Sequence, residues 1–325
     1  MDTLLLHPQL GVPIMHHGQL NIIATHLSDM KEEDNMSTLA HQTYLNNCLP
    51  SIKTLHSKKA RKLTRRILKS QNDWSAWQQS EYKQHQQYHD QHMFGKPQPI
   101  PSGANRLPFI WTYVVKDDDN KTKKARVTCN GAPHMKGTVT ISHTYAGSLD
   151  HTVSRIFWSI SAAKGHIVFG ADASNAFAEA PPPKAPLYMI VDQQYRDWYH
   201  HTKNVIIPEG YGIKVNRALQ GHPESPRLWA TLINKHITAL GFKPCFNEPC
   251  LYYHPNYKGK EVYFLRQVDD FAVSCIDETI VKDIITCIDQ KITIKIKLLG
   301  CIKRFNGVDV TRSSYFIKIS THTYV

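Results

Sequence analysis

Two adjacent aspartates between short apolar runs constrain this chain more than any other feature. Residues 264–268 read Phe-Leu-Arg-Gln-Val, Asp269 and Asp270 follow, and residues 271–273 read Phe-Ala-Val. This pattern predicts a β-hairpin with two carboxylates at its tip. Neighbouring carboxylates repel each other, and such turns more often carry Asn-Gly or Asp-Gly. A divalent cation would remove the repulsion, although an Asp-Asp pair at a solvated turn is also common and harmless.

A third carboxylate ends an apolar run further upstream. Residues 165–171 lead to Asp172, and small residues and Phe177 follow. If this strand neighbours the hairpin in one sheet, Asp172 joins Asp269 and Asp270. Carboxylates shared between two divalent ions form a clamp for in-line phosphoryl or nucleotidyl transfer. One ion would activate a primer 3′-hydroxyl, and the other would neutralise the leaving pyrophosphate.

Several further segments occur in an order that is typical of one family. They are residues 111–116 with 124–127, 187–189, 217–229, and 240–242 with 248–252. With them the chain resembles the reverse transcriptase of copia-type long-terminal-repeat retrotransposons, from about Thr64 onward. The order and spacing of several motifs make this resemblance specific, whereas any single motif would be weak.

The resemblance implies an α+β right-hand polymerase fold, with a ferredoxin-like palm and fingers. Residues 1–63 are expected to be a linker or tail that is largely disordered, and residues 64–325 to form fingers and palm. The thumb is expected to be missing or incomplete, and no RNase H domain is expected. The chain would then be a fragment of a longer polyprotein and poorly processive by itself.

The resemblance also implies roles for individual residues. Asp172, Asp269 and Asp270 would be the catalytic ligands of two Mg²⁺ ions, with Mn²⁺ as a substitute. Phe177 would lie under the sugar and exclude a ribose 2′-hydroxyl, so the expected substrate is a deoxynucleotide. Gln220, in a Gln-Gly-x-x-x-Ser-Pro segment, would lie beside the incoming nucleotide.

The fingers would supply the cations for the triphosphate. Arg126 and Lys116 are the residues that the resemblance assigns to this contact, because guanidinium and ammonium groups suit phosphate oxygens. Two positions depart from the family pattern. Gln267 stands before Val-Asp-Asp where the family usually has tyrosine, and Gln220 replaces the tyrosine of most copia elements, as in retroviral enzymes.

The expected function is RNA-directed DNA polymerase activity that extends a primer with dNTPs on an RNA or DNA template. Other segments of the same polyprotein are further expected partners. Two alternatives stay open. One is a decayed or domesticated copy that binds nucleic acid without polymerising, which Gln267 favours. The other is a metal-dependent nuclease, which ranks last because Phe177 and the segment around Gln220 have no obvious use there.

Charge agrees with a polyanionic partner. The chain has 39 basic and 27 acidic residues, a net charge of +12. Residues 70–325 hold 30 basic against 22 acidic side chains, as a template channel requires. Residues 53–69 carry eight basic residues and no acidic ones, which suits a nuclear-import or nucleic-acid tether and equally a solvated linker.

Cysteine and hydropathy patterns bear on location. Seven cysteines without a Cys-x-x-Cys pair favour reduced thiols inside the cell. No run of about eighteen apolar residues or signal-peptide pattern occurs, so we expect no membrane contact. The expected location is a cytoplasmic particle, the nucleus or both, without secretion. His85 and His89, four apart on a polar helix, are expected to be surface histidines rather than zinc ligands.

Periodicity predicts the main elements. Helices are expected at 74–91, 154–163 and 279–290, and a further helix begins with Ser225 as N-cap and ends at Gly241. Strands are expected at 111–116, 125–129 and 187–191, with hairpins over 261–276 and 305–319. Four prolines between 97 and 108 predict an extended connection. The acidic residues 117–119 are expected to form a solvated turn.

Overall fold

A computed structural model of the chain describes residues 63–116, 119–131, 144, 146–313 and 316–321, with two short strands near the N-terminus. The helices are α1 (Arg65–Lys69), α2 (Trp74–Asp90), α3 (His151–Ala163), α4 (Gln193–Lys203), α5 (Ser225–Ala239) and α6 (Glu278–Asp289). A 3₁₀ helix covers Ala176–Glu179. The strands before it are β1 (Leu4–Leu6), β2 (Pro13–Ile14), β3 (Phe94–Pro99), β4 (Asn105–Val115), β5 (Lys123–Cys129) and β6 (Ile167–Ala173). Those after it are β7 (Leu187–Ile190), β8 (Tyr211–Val215), β9 (Lys243–Cys245), β10 (Glu248–Tyr257), β11 (Lys260–Gln267), β12 (Asp270–Cys275), β13 (Ile296–Cys301), β14 (Arg304–Phe305), β15 (Val308–Arg312) and β16 (Ile317–Ser320).

The central sheet has the ferredoxin-like arrangement. Its order is β13-β6-β12-β11-β10-β9, and β6 pairs antiparallel with both β12 and β13. Along the chain, β6, α5, the β11–β12 hairpin, α6 and β13 form a β-α-β-β-α-β unit. The expected α+β fold with a ferredoxin-like palm is therefore confirmed.

Successive side chains of these strands point to opposite faces of the sheet, and different helices pack on each face. Phe264, Phe271 and Val273 pack in one core with α5 and α6. Leu265 and Ala272, whose side chains lie on the opposite face, pack in another core with α3. The sheet is thus covered on both sides, which explains why β12 is buried along most of its length.

Helix α5 begins differently from its expected start. Its apolar stripe packs into the core, with Trp229, Ile233 and Ile237 fully buried. Glu224, however, is the N-cap residue, and Ser225 is already helical. The Ser225 hydroxyl donates instead to the carbonyl of Leu219 at 2.8 Å. The serine therefore fastens the preceding loop to the helix.

The second sheet has the order β3-β8-β7-β4-β5 and is built from the segment expected to form the fingers, so it is called the fingers sheet below. Part of the expected proline-rich extended connection is a strand, β3. It lies at the edge of this sheet and pairs with β8. Pro97 and Pro99 lie on this edge strand, where a missing N–H is tolerated.

Helix α2 packs against the fingers sheet through one buried face. Trp77, Glu81, His85 and Tyr88 are buried on this face, at spacings of three and four residues. The expectation of surface histidines was wrong for His85, because its position falls on the buried face of the helix. Trp77 packs edge-to-face on Tyr113 as expected for a core tryptophan, with ring centroids 5.8 Å apart.

A third sheet has the order β14-β15-β16-β1-β2. The expected closing hairpin is present in it, with Val310 opposite Ile319 in the β15–β16 pair. The strands β1 and β2 bring residues from the N-terminal 63 into this sheet, and most of that segment lies outside the described residues. So do Asp117 and Asp118 of the expected acidic turn. Across the described helices, none is long and apolar enough to cross a membrane.

Candidate active site

The three predicted aspartates meet at one end of the central sheet. Asp172, near the end of β6, is the direct cross-strand partner of Asp270, the first residue of β12. Side chains of such partners lie on the same face with Cβ atoms roughly 4.5–5.5 Å apart. Asp269 lies in the adjoining hairpin turn, and its carbonyl accepts a 2.9 Å hydrogen bond from the amide of Ala173. Backbone pairing therefore brings positions 172, 269 and 270 together.

The turn that carries Asp269 is held from below by helix α5. Val268 has a φ of 52°, an uncommon left-handed conformation for a β-branched residue. The indole Nε1 of Trp229 donates to the carbonyl of Val268 at 2.7 Å. Because Trp229 is itself fully buried, this bond links the conformation of the turn to the palm core.

Burial and neighbouring carboxylates disfavour the charged forms of Asp269 and Asp270. Burial, and then the neighbouring Asp269 and Asp172, raise the pKa of Asp270 to about 6. Burial also raises the pKa of Asp269, with Asp172 adding to the effect and Arg126 opposing it. The Ser174 hydroxyl donates to the Asp172 carboxylate at 2.5 Å. A cation bound here would relieve the repulsion between these acids.

The oxygen ligands of this set suit a hard divalent cation such as Mg²⁺. Asp172 and Asp270 face each other across the β6–β12 pair, and the pKa of Asp270 is raised first by burial and then by the negative charges of Asp269 and Asp172. Within the described ranges, however, no group of three or more His, Cys, Asp or Glu side chains is close enough together to hold a metal ion. Carboxylates are therefore the right type of ligand for the expected metal. Of the three aspartates, Asp172 and Asp270 are the two that face each other across the sheet.

An open cavity of about 350 Å³ lies beside the aspartates. The palm contributes Asp269 and Val268 to its lining, and the fingers contribute Lys124 and Arg126. Gln220 also lines it, from the segment before α5. The cavity therefore has one carboxylate, Asp269, on its palm side and two cations on its fingers side, and the Asp172–Asp270 pair lies next to it without lining it.

The basic side comes from alternate residues of β5. Lys124 and Arg126 lie on the same face of the strand because successive side chains of a strand point to opposite faces. Burial lowers the pKa of Lys124, and the nearby Arg126 and Lys116 lower it further, whereas Asp172 opposes this. Lys116 itself is exposed at the end of β4 and is absent from the cavity lining. Lys124 was missed, although its spacing from Arg126 was visible in the sequence.

Phe177 reaches the cavity from the 3₁₀ helix that follows β6. Asn175 precedes this helix in a left-handed conformation with φ 63°. The turn directs the chain away from the sheet, so that Ser174, Asn175 and Phe177 all line the cavity. The last residue of the 3₁₀ helix, Glu179, fixes its C-terminal end, because the Glu179 carboxylate accepts a 2.5 Å hydrogen bond from the hydroxyl of Thr293.

Gln220 is held beside β5 by a close backbone approach. Its carbonyl accepts a 2.9 Å hydrogen bond from the amide of Cys129. Gly221 follows with a φ of +94°, and a Cβ there would lie 2.3 Å from the carbonyl oxygen of Cys129. Only glycine fits this position, which explains the Gln-Gly pair in physical terms.

Helix α2 contributes lining residues that sequence reasoning did not assign. Gln84, Gln87 and Tyr88 face the cavity, and the Tyr88 hydroxyl donates to the carbonyl of Val127 at 2.9 Å. The sequence predicted a polar helix here, and a glutamine-rich face carries no signal that would distinguish a cavity wall from a solvated surface.

Gln267, the departure from the family pattern, has a structural partner. Its side-chain oxygen accepts a 2.9 Å hydrogen bond from the amide of Leu149, just before α3. The residue therefore fastens the segment before α3 to the strand that leads into the aspartate turn.

Comparison with known families agrees with this arrangement. A family model described as reverse transcriptase (RNA-dependent DNA polymerase) matches residues 98–325, which include all three aspartates and the cavity-lining strand β5. The chain belongs to the reverse transcriptase family, and the resemblance stated from its sequence is confirmed.

The curated relatives that the chain matches are retrovirus-related Pol polyproteins from transposons, and the chain spans only a small part of their length. The chain is 22% identical over 231 residues to a retrovirus-related Pol polyprotein from transposon RE1 of Arabidopsis thaliana, and 20% identical over 230 residues to that from transposon RE2. These matches cover 70% of this chain and 15% of each relative. A solved structure of a foamy viral protease-reverse transcriptase in complex with double-stranded DNA matches with a TM-score of 0.35 and 15% identity, over 70% of this chain and 33% of that one.

Proposed function

We propose that this chain is an RNA-directed DNA polymerase that adds deoxynucleotides to a primer in a Mg²⁺-dependent reaction. The observation that carries the proposal is the pairing of Asp172 with Asp270 beside a cavity whose far wall is basic. Carboxylates suit cations, and guanidinium and ammonium groups suit phosphate oxygens, so one cavity offers both ends of a nucleotidyl-transfer site.

The acidic side would hold the metal. Asp172 and Asp270 are the proposed primary ligands, with Asp269 as the third carboxylate, and Mn²⁺ is an alternative ion. A divalent cation held by these carboxylates would supply activation of the primer 3′-hydroxyl and neutralisation of the leaving pyrophosphate. Trp229 would act as a positioning residue, because its hydrogen bond to Val268 holds the turn that presents Asp269.

The remaining residues would bind and select the nucleotide. Arg126 and Lys124 are the proposed triphosphate contacts, and Lys116 is proposed as a further contact from the hairpin end, close enough to Lys124 to lower its pKa. Phe177 would exclude a ribose 2′-hydroxyl by contact with the sugar, and Gln220 would contact the incoming nucleotide. All of these except Lys116 line the same cavity.

The proposed partners are a primer annealed to an RNA or DNA template, dNTPs and other segments of the same polyprotein. Support comes from charge, since residues 70–325 hold 30 basic against 22 acidic side chains. The proposed setting is a cytoplasmic particle or the nucleus. We propose that residues 1–63 act as a linker or tail and residues 64–325 as fingers and palm.

Primer extension tests the proposal. Purified protein would be given oligo-dT annealed to poly-rA, labelled dTTP and Mg²⁺, and compared with Asp269→Asn and with Asp90→Asn. Asp90 is an exposed residue at the end of α2 and serves as the matched control. We expect incorporation to fall at least about a hundredfold in Asp269→Asn only, because a metal carboxylate would be lost. Equal incorporation by Asp269→Asn and wild-type protein would remove the assigned role of that carboxylate.

A copy that binds nucleic acid without polymerising is the second candidate, and Gln267 is the observation that favours it. Template binding measured by fluorescence anisotropy would separate the two functions. Tight binding without any metal-dependent incorporation by the wild-type chain would select this candidate. Cleavage of a labelled duplex in the absence of nucleotides would instead indicate a nuclease.

A further inference from the structure

A second cavity of about 290 Å³ lies on the fingers, and none of its lining residues is shared with the cavity beside the aspartates. It is bounded by α2, β3 and α4. Helix α2 separates the two cavities, because Gln84 and Tyr88 line the first and His85 and His89 line the second. Neither the proposed metal site nor the proposed triphosphate contacts explain this second cavity.

Four of its ten lining residues are tyrosine, tryptophan or phenylalanine. Tyr195, Trp198 and Tyr199 come from α4, and Phe94 comes from β3. The rings of Tyr195 and Tyr199 stack at a centroid distance of 5.8 Å and an interplanar angle of 19°. A planar ring between such side chains gains stacking contacts that are indifferent to its exact identity.

The cavity also contains a buried polar group that lacks a partner. His85 lines it with only 1% of its surface exposed, and its ring packs against Trp198 with centroids 5.5 Å apart. Neither Nδ1 nor Nε2 has a hydrogen-bond partner among the described residues. Burial lowers the pKa of His85 to about 3, so the neutral ring presents one donor and one acceptor near neutral pH.

Two cations complete the lining. Lys96 on β3 and Lys203 at the end of α4 are both exposed, and both line the cavity. Neither ammonium group forms an ion pair with a carboxylate in the part of the chain that the structure describes. Their positive charges are therefore available to an anionic group bound beside the aromatic wall.

We propose that this cavity binds a nucleotide, with the base against the partly exposed rings of Tyr199 and Phe94 and the phosphate at Lys96 and Lys203. Aromatic walls, a neutral imidazole and flanking cations match the three parts of such a ligand: a π-face, a hydrogen-bonding edge and a phosphate. The same chemistry is offered by a free nucleotide and by an unpaired base within a single strand. The inference does not depend on polymerase activity.

Fluorescence titration tests the inference, because Trp198 lies in the cavity wall. The ligands would be adenosine 5′-monophosphate, adenosine and a ten-residue oligo-dA. The variants would be the double change Lys96→Gln with Lys203→Gln and, as a matched control, Lys235→Gln at an exposed position on α5. Every protein in this titration would also carry Arg126→Gln. This shared substitution weakens nucleotide binding at the first cavity, so that the titration reports on the second.

We expect both phosphate-bearing ligands to quench the fluorescence and to bind about tenfold more weakly to the double variant. Adenosine should bind both lysine variants equally, and the control should match its parent for every ligand. A preference for oligo-dA over the free nucleotide would identify a single strand as the source of the base.

Two results would overturn the proposal. One is the absence of quenching by all three ligands at millimolar concentration, which would mean that water alone fills the cavity. The other is equal binding of the nucleotide by the double variant and its control. Primer extension by the double lysine variant, with Arg126 intact, distinguishes failure of this inference from failure of the proposed function. The variant should still add nucleotides to a long primer duplex, because the second cavity is separate from the candidate active site.

Discussion

Replacing His85 with phenylalanine should make the protein more stable, and more so in acid. The imidazole is fully buried among aromatic rings and its two nitrogens have no described hydrogen-bond partner. Leaving a buried polar group unsatisfied costs about 1–3 kcal/mol. Phenylalanine keeps a ring in the same space and removes that cost, so the free energy of unfolding should rise by roughly this amount at pH 7.

The lowered pKa of His85 also predicts how the free energy of unfolding changes with pH. The folded-state pKa of His85 is lowered to about 3 from 6.5, so between these values the unfolded chain binds a proton that the folded chain does not. Above pH 6.5 both states hold a neutral imidazole and His85 causes no loss of stability. As the pH falls from 6.5 toward 3, protonation of the unfolded chain lowers the free energy of unfolding. One pKa unit corresponds to about 1.4 kcal/mol, so moving from pH 7 to pH 5 should destabilise the wild-type protein by roughly 2 kcal/mol through this residue.

Urea unfolding at pH 5, 6, 7 and 8 would measure the effect as a difference between two proteins. Other groups that titrate in this range contribute equally to both proteins, so the difference isolates His85. Trp198→Phe, a change to the same cavity wall without a titrating group, is the control and should lower stability by the same amount at every pH. A gap between wild type and His85→Phe that stays constant from pH 8 to pH 5 would refute the reasoning.

Three further predictions concern the candidate active site. Phe177→Val should raise incorporation of ribonucleotides relative to deoxynucleotides roughly ten- to hundredfold, because the proposed clash with the 2′-hydroxyl would be removed; an unchanged ratio in primer extension would contradict that role. Gly221→Ala should lower the free energy of unfolding by at least about 2 kcal/mol in urea, since its Cβ would lie 2.3 Å from the Cys129 carbonyl oxygen at a φ of +94°. Gln267→Tyr should cost about 1–3 kcal/mol in the same assay because the Leu149 amide loses its acceptor, whereas Gln267→Glu keeps an acceptor and should cost less.

Much of the palm could be predicted from sequence because its signals are local. The hairpin around Asp269 and Asp270 follows from two apolar runs with a turn between them, and α6 follows from isoleucines at helical spacing. Predictions that depended on packing were less accurate. Ser225 was expected to cap α5, but its hydroxyl bonds to the Leu219 carbonyl, a partner that only the folded loop supplies.

The sequence by itself determined which chemistry is present: the three acids, the Gln-Gly segment and the family to which the chain belongs. The tertiary structure alone decided which groups share a space. It set Asp172 opposite Asp270, brought Lys124 rather than Lys116 to the cavity, and buried His85 within an aromatic wall. The physical reason is that strand pairing and helix orientation join residues that are far apart in sequence. Local patterns record periodicity, and they carry no information about the partner across the sheet.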